Sequence, residues 1–300
     1  MIDRTYRAPL FCDIALAGRI ERAEAELIAG CGAAAQRRRG DAAGFAMPIG
    51  GGVASFAEPD SPLNKVAGLG FAGRPDPAAL DAIEHAFAVR GATVQAEVAS
   101  LADPALLELL AGRGYRLASF ENVLGRALGG PVEPVAPPGV EVRPSGDDDF
   151  DAWLDVVVEA SLHPDTQGVA WHEEFPRDIL ENAERDADGL VQRYLALLDG
   201  VPAGGGSMRI TDGIAQLTGA GTAPAFRRRG IQSAVLAARL ADATAAGCDI
   251  AVITVQPGSK SQQNAQRRGF DLLYTRAVLV KDPVNDRSRS RPDPGPEGES

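Results

Sequence analysis

The stretch LTGAGTAPAFRRRGIQSA, residues 217–234, decides how the rest of the chain is read. It opens as a short apolar strand, is interrupted at Pro224, and passes into a helical pattern expected over residues 231–246. Between strand and helix stand Arg227, Arg228, Arg229 and Gly230. The first turn of a helix leaves backbone N–H groups unpartnered and carries the positive end of the helix dipole, so it suits an anion. Gly230 removes a side chain where a ligand would approach the backbone, and three arginines add charge for phosphates. The pattern describes a pyrophosphate cradle, although a basic surface loop ahead of an ordinary helix is spelled the same way.

The chain downstream separates the two readings. Residues 250–255 (IAVITV) have the composition of a buried strand, 259–268 form a polar helix, and Gly269-Phe270 opens another strand. That order, with the R-x-x-G turn and the late Gly-Phe, resembles the GNAT acyltransferase family over residues 140–281. The resemblance implies an α+β fold with a mixed, mostly antiparallel sheet flanked by helices, acetyl-CoA as co-substrate, and no metal. It implies that the strand over 214–222 splays from that over 250–255 and admits the pantetheine arm, with Ala220 and Thr222 offering backbone contacts. Arg227, Arg228, Arg229, Gly230, Ile231, Gln232 and Ser233 would hold the pyrophosphate, and Asn264, with Ser261, would hydrogen-bond the coenzyme. The family pattern [QR]-x-x-G-x-[GA] is met at Arg227 and Gly230 but departs at Gln232, whose side chain is expected to point away.

Two further departures concern proton transfer. Many relatives carry a tyrosine where this chain has Ala265, and Tyr274 nearby is expected to pack in the sheet. Nor does the strand over 214–222 carry a glutamate; Gln216 and Thr218 stand there instead. No catalytic residue is therefore assigned. The expected reaction is direct attack of an amine on the thioester, giving an N-acetyltransferase for a small-molecule acceptor. The rival is a non-catalytic acyl-CoA-binding sensor or scaffold, which the missing tyrosine and glutamate favour.

The first half repeats the second. RGATVQAEV (residues 90–98) matches AGCDIAVITV (246–255), and LLAGRGYRL (109–117) matches NAQRRGFDL (264–272). Gly91 and Gly114 lie 23 positions apart, Gly247 and Gly269 22 apart, and 9 positions lead from Gly114 to Val123 and from Gly269 to Val278. Asn122-Val123-Leu124 and Ala277-Val278-Leu279 then read as equivalent last strands, so one fold serves both halves. The copies differ at the turn, where Gly73-Arg74-Pro75-Asp76-Pro77 replaces APAFRRRG. Proline lacks an N–H and aspartate repels phosphate, so the first copy reads as a degenerate GNAT-like domain without a coenzyme seat.

The divisions read from the sequence are a degenerate domain at 1–128, a Pro/Gly-rich linker at 129–139, the acyl-CoA-binding domain at 140–281 and a disordered tail at 282–300. Residues 14–35 suggest one or two helices stopped near Gly30 and Gly32, and QRRRGD (36–41) a solvated loop. Residues 45–56 fit strand–turn–strand. Residues 161–175 form an irregular connection carrying His163, Asp165, Trp171, His172, Glu173 and Glu174, read as an acceptor-pocket loop or as a capped helix start. Asp199-Gly200 and Asp212-Gly213 mark tight turns.

A formal net charge of −11 argues against a general nucleic-acid binder and makes the arginine turn a local exception. Three cysteines without a C-x-x-C pair argue against a disulfide framework or zinc site. No apolar run approaches a membrane span, and a cytoplasmic protein is expected.

Overall fold

A computed structural model describes residues 8–40, 44–130, 136–165, 169 and 174–283. The first half runs α1 (Ile14–Arg39), β1 (Phe45–Ile49), β2 (Gly52–Phe56), β3 (Lys65–Ala67), α2 (Pro77–Ala88), β4 (Val94–Ala99), α3 (Pro104–Gly112) and β5 (Arg116–Ala127). The second runs β6 (Val140–Pro144), α4 (Phe150–Leu162), α5 (Arg177–Ala187), β7 (Gln192–Leu198), β8 (Val201–Thr211), β9 (Ile214–Thr222), α6 (Ile231–Ala245), β10 (Ile250–Val255), α7 (Lys260–Arg267) and β11 (Asp271–Lys281). The tail beyond Pro283 lies outside the described residues.

The mixed sheet expected of each half is present, and the two are joined into one. Its order is β1-β2-β3-β4-β11-β5-β10-β9-β8-β7-β6. Read from both ends this is nearly a palindrome, with β1 to β4 answered by β7 to β10. At the centre the last strands have changed places: β11 pairs with β4, and β5 with β10. The two exchanged strands also pair antiparallel with each other. The offset that relates Val123 to Val278 in the sequence also relates Glu121 to Arg276, and these two face one another across the β5–β11 ladder. The axis of the internal repeat therefore passes through that pair.

Neighbouring residues on a strand show which helices cover which face, because side chains alternate. A Cβ on Gly205 would meet Trp153 of α4, whereas one on Gly206 would meet Arg239 of α6. Likewise Val66 packs with Leu80, Ile83 and Phe87 of α2, while Ala67 packs with Ala25 and Ile28 of α1. Helices α1 and α4 thus cover one face and α2 and α6 the other. Helix α5 joins the first layer by its contacts with α1 and α4.

Helix α1 corrects two expectations. It is one helix that runs through Gly30 and Gly32, because those glycines serve close packing: a Cβ there would lie 2.9 Å from the Leu190 side chain and 2.5 Å from Ser55 Oγ. The basic run also belongs to the helix as far as Arg39 and is not a solvated loop. Arg38 and Arg39 both donate to Asp186 of α5, at 2.9 and 2.6 Å, and Asp186 is wholly buried. These arginines clamp the first half onto the second.

The separation of β9 from β10 has a local cause. The pair is parallel from Ile214–Ile250 to Gln216–Val252 and then ends. Just beyond, β9 carries an extra residue relative to β8, a bulge at Gly219, whose φ of 49° lies in the left-handed region. A bulge bends its strand and leaves backbone groups without ladder partners. Here Arg239, 2% exposed on α6, donates from Nη1 to the carbonyls of Ser207 and Thr218, at 2.9 and 3.2 Å. Burial without a carboxylate partner pushes its pKa down to about 10.

Two stability changes follow, both read by urea denaturation. Asp186→Ala takes the wholly buried carboxylate from Arg38 and Arg39, leaving Arg39 only Glu58 and the Ala57 carbonyl, and is expected to cost about 2–4 kcal/mol. Arg239→Ala orphans two carbonyls and opens a cavity, and is expected to cost about 3 kcal/mol or more. A change below about 1 kcal/mol at either site contradicts the role given to it.

Candidate active site

Where β9 and β10 part, a cleft of about 530 Å³ opens between β9, the turn before α6, the end of β10 and α7. All the coenzyme residues expected from the sequence line it except Arg229: Ala220 and Thr222 from β9, the rest of the turn through Ser233, and Asn264 from α7. Arg229 is exposed on the outer side of the turn. The β10-facing edge of β9 beyond Gln216 has no partner in β10, so its peptide groups can pair with an extended ligand.

The turn is built to leave amides available. Helix α6 begins at Gly230 (φ 81°, ψ 3°), and no side chain caps it. Its equivalent in the first half, α2, has Pro77 in its first turn, and the Asp76 side chain accepts from Ala78 N at 3.1 Å. One helix start is thus already occupied by a carboxylate and the other is open. Arg228 holds a φ of 64°, a conformation costly for a residue with a side chain, and is an exposed residue of the cleft lining. Arg227 behaves differently from its neighbours. It donates to the carbonyl of His163 and, at 3.4 Å, to that of Thr222, tying the end of α4 to the turn.

Across the opening, Asn264 Nδ2 donates to Gln232 Oε1 at 2.6 Å, so the Gln232 side chain turns towards α7 and both residues stay at the rim. Lys260 and Ser261 also line the cleft from α7. Lys260 was missed in the sequence because a polar eight-residue helix gives no sign of which face it turns inward.

The residues weighed for proton transfer are engaged elsewhere. Tyr274 is buried and donates to Glu21 Oε1 at 2.7 Å, and Ala265 is buried. Gln216 accepts from Arg209 and donates to Glu24, and Thr218 pairs with Ser207. In the loop after α4, Asp165 lines the cleft, the exposed His163 ring contacts Glu159, and Glu174 is exposed. Trp171, His172 and Glu173 lie outside the described residues.

The structure adds two residues that sequence reasoning missed. Phe120 and Glu121 reach the cleft from β5, which belongs to the first half and arrives by strand exchange. Glu121 is 24% exposed, and its Oε2 lies 3.7 Å from Arg276 Nη1 without accepting a hydrogen bond. Burial, followed by the nearby Glu97 carboxylate, pushes its pKa up to about 7, against the pull of Lys65 and Arg276. Glu97 is paired with Lys65 at 2.5 Å; although burial pushes it up, Lys65 and Arg276 hold its pKa below the usual value. A second raised carboxyl, Glu184 on α5, sits over the Gly219 bulge, where burial pushes it to about 7, but it does not line the cleft.

Comparison with known proteins agrees with this geometry. The acetyltransferase (GNAT) family model matches residues 156–270. Among solved structures, the chain is similar to a GCN5-related N-acetyltransferase from Kribbella flavida, with 22% identity, a TM-score of 0.63, and coverage of 92% of this chain and 99% of that one. It is also similar to a tandem GNAT protein from the clavulanic acid biosynthesis pathway, at 14% identity and TM-score 0.56 over 81% of this chain and 83% of that one. A GCN5-related N-acetyltransferase from Sphaerobacter thermophilus matches at 20% identity and TM-score 0.52, over 68% and 65% of the two chains. No curated protein matches the sequence. Among the described residues, no helix is long and apolar enough to cross a membrane and no acidic, histidine or cysteine cluster could hold a metal ion. Residues 156–270 thus match the acetyltransferase (GNAT) family model, and the chain around them has the fold of GNAT structures, a tandem one among them.

Proposed function

We propose that the cleft binds acetyl-CoA and that the protein transfers the acetyl group to the amine of a small-molecule acceptor. The observation that carries the reading is the open start of α6. An uncapped helix N-terminus, with Arg228 beside it, lies at one end of a cleft whose wall is the unpaired edge of β9. Such a start supplies N–H donors and positive potential for a pyrophosphate, and the strand edge supplies backbone partners for the pantetheine arm. The amine attacks the thioester carbonyl directly, and a backbone N–H polarises the carbonyl oxygen.

The remaining divisions follow the same reading. Residues 1–128 act as a degenerate copy that walls the site, 129–139 as the linker, 140–281 as the coenzyme-binding domain and 282–300 as a tail. The linker also touches the site, since a Cβ on Gly230 would lie 2.6 Å from Pro137. Free, buried Cys12, Cys31 and Cys248 fit a reducing cytoplasm. A non-catalytic acyl-CoA-binding role is the second reading, and the burial of Tyr274 on Glu21 favours it by removing one proton donor from the cleft.

Calorimetric titration of acetyl-CoA tests the proposal. Wild type is expected to bind, and Arg228→Glu/Gly230→Asp to bind at least tenfold more weakly, because each change sets a carboxylate where the phosphates would lie. Absence of binding to wild type overturns the reading. Binding without transfer to any amine favours the sensor.

A further inference from the structure

We propose that Glu121, carried into the second half by the exchanged strand β5, is the general base that takes the proton from the acceptor amine. The inference rests on the acetyl-transfer reading of the cleft. Four observations support it.

Glu121 and the expected coenzyme residues line one cavity. Its register fixes the face. Val123 pairs with Thr254 on β10, and Glu121 pairs with Arg276 on β11, so by alternation Glu121, Val123, Thr254 and Arg276 share a face. Arg276 in turn bonds Glu21 of α1 at 2.7 Å, so this is the α1/α4 face, opposite the layer of α6. A coenzyme seated at the α6 turn would therefore enter from one face while Glu121 attends its reactive end from the other. The end of α4, at Ala160 and Ser161, closes the same side of the cleft.

The carboxylate is also placed to be a base and not merely an ion-pair partner. The charged groups facing it are Glu97 from β4, Lys65 from β3, Arg276 from β11, and Glu21 and Glu24 from α1. Glu97 takes Lys65, and Glu21 takes Arg276 at 2.7 Å. Glu121 is left as the surplus carboxylate, at 3.7 Å from a guanidinium already committed elsewhere. Burial first, and then that surplus of negative charge beside Glu97, make it hold a proton more tightly than an ordinary glutamate, near pH 7, where a base is most effective.

The step balances. The Glu121 carboxylate removes one proton from the substrate ammonium, and the freed lone pair forms the C–N bond as the carbonyl π pair moves onto oxygen. When that oxygen re-forms the carbonyl, the C–S bond breaks and the thiolate leaves with its electron pair. A second proton passes from the new ammonium to the thiolate through water, and Glu121 releases the first to solvent. The net change is ammonium plus acetyl-CoA to amide, coenzyme A thiol and one proton.

The test measures thiol release from acetyl-CoA, with 2-phenylethylamine or spermidine as acceptor and water as acceptor in their absence, across pH 5–9. Acetyl-CoA affinity is measured alongside by calorimetry. In wild type the rate is expected to rise with pH through about 7, since the carboxyl is protonated below its pKa and idle as a base. Glu121→Gln is expected to lose about 100-fold or more in kcat, and the acidic limb with it, while binding acetyl-CoA as wild type does. Glu97→Gln removes a neighbouring negative charge, so it should lower the pKa of Glu121 and move the limb to lower pH. Glu184→Gln should leave the limb in place. A Glu121→Gln enzyme with wild-type rate and profile overturns the proposal, as does a limb that disappears in Glu184→Gln instead. Bound acetyl-CoA with no thiol release from any acceptor overturns the base and leaves the coenzyme seat standing; no binding by wild type overturns both.

Discussion

The antiparallel pairing of β5 with β11 is the constraint on which the rest of the structure depends. A strand at the edge of a sheet exposes a row of unpaired backbone groups, and two separate copies would each present such an edge where their last strands end. Exchanging those strands removes both edges at once, because β11 is covered by β4 and β5, and β5 by β11 and β10. The duplicated chain thereby becomes one sheet with a local two-fold at its centre. Neither half has a complete sheet without a strand of the other, so the halves are coupled by backbone hydrogen bonds as well as by the Arg38 and Arg39 contacts to Asp186.

That arrangement brings ionisable side chains into the interior. Arg276, Glu97 and Glu21 are almost wholly buried, and Lys65 is held above its usual pKa: burial opposes its charge, but Glu97, Glu121 and Glu24 together more than compensate. Burying charges is costly, and replacing such a network with apolar side chains is often neutral or favourable for stability. Its presence is therefore better explained by what it does to the surplus group than by stability. Strand exchange places Glu121 beside Arg276 and on the cleft, and the same exchange gives the first half a part in a cleft whose proposed coenzyme residues lie in the second.

Much of the second half was legible because its signals are local. The strand over 214–222, the strand over 250–255 and the turns at Asp199-Gly200 and Asp212-Gly213 follow from apolar runs and turn residues a few positions apart. The repeat was legible for the same reason, as matched glycines at matched spacings. What could not be read is non-local. Gly30 and Gly32 look like helix stops until Leu190 and Ser55 are seen pressed against them. The run QRRRGD looks solvated until Asp186, far along the chain, is seen to anchor its arginines. Glu121 was invisible as a site residue because a search of the second half's own strands cannot find a side chain that enters on a strand from the first. The duplication contained part of the clue, since it makes Glu121 and Arg276 equivalent, but only the exchange makes them neighbours.

This equivalence also explains why a symmetric sheet carries an asymmetric site. Residues that face each other at the centre of a two-fold ladder would be identical in a perfect repeat, and two glutamates there would repel as directly opposed like charges. Complementary charges relieve that repulsion, and doing so makes the two copies chemically different at their most central position. The carboxylate then attends the cleft of the half that received β5. The corresponding place in the first half is taken by Arg276, which β11 delivers and which Glu21 and Glu97 neutralise. The helix starts diverge in the same direction: Gly230 leaves α6 open, whereas Asp76 fills the first-turn position of α2. A cation where the proposed base would stand and a carboxylate where phosphates would bind both fit the proposal that the first half is a degenerate copy. Whatever its own site does, the first copy supplies the strand that completes the other's sheet.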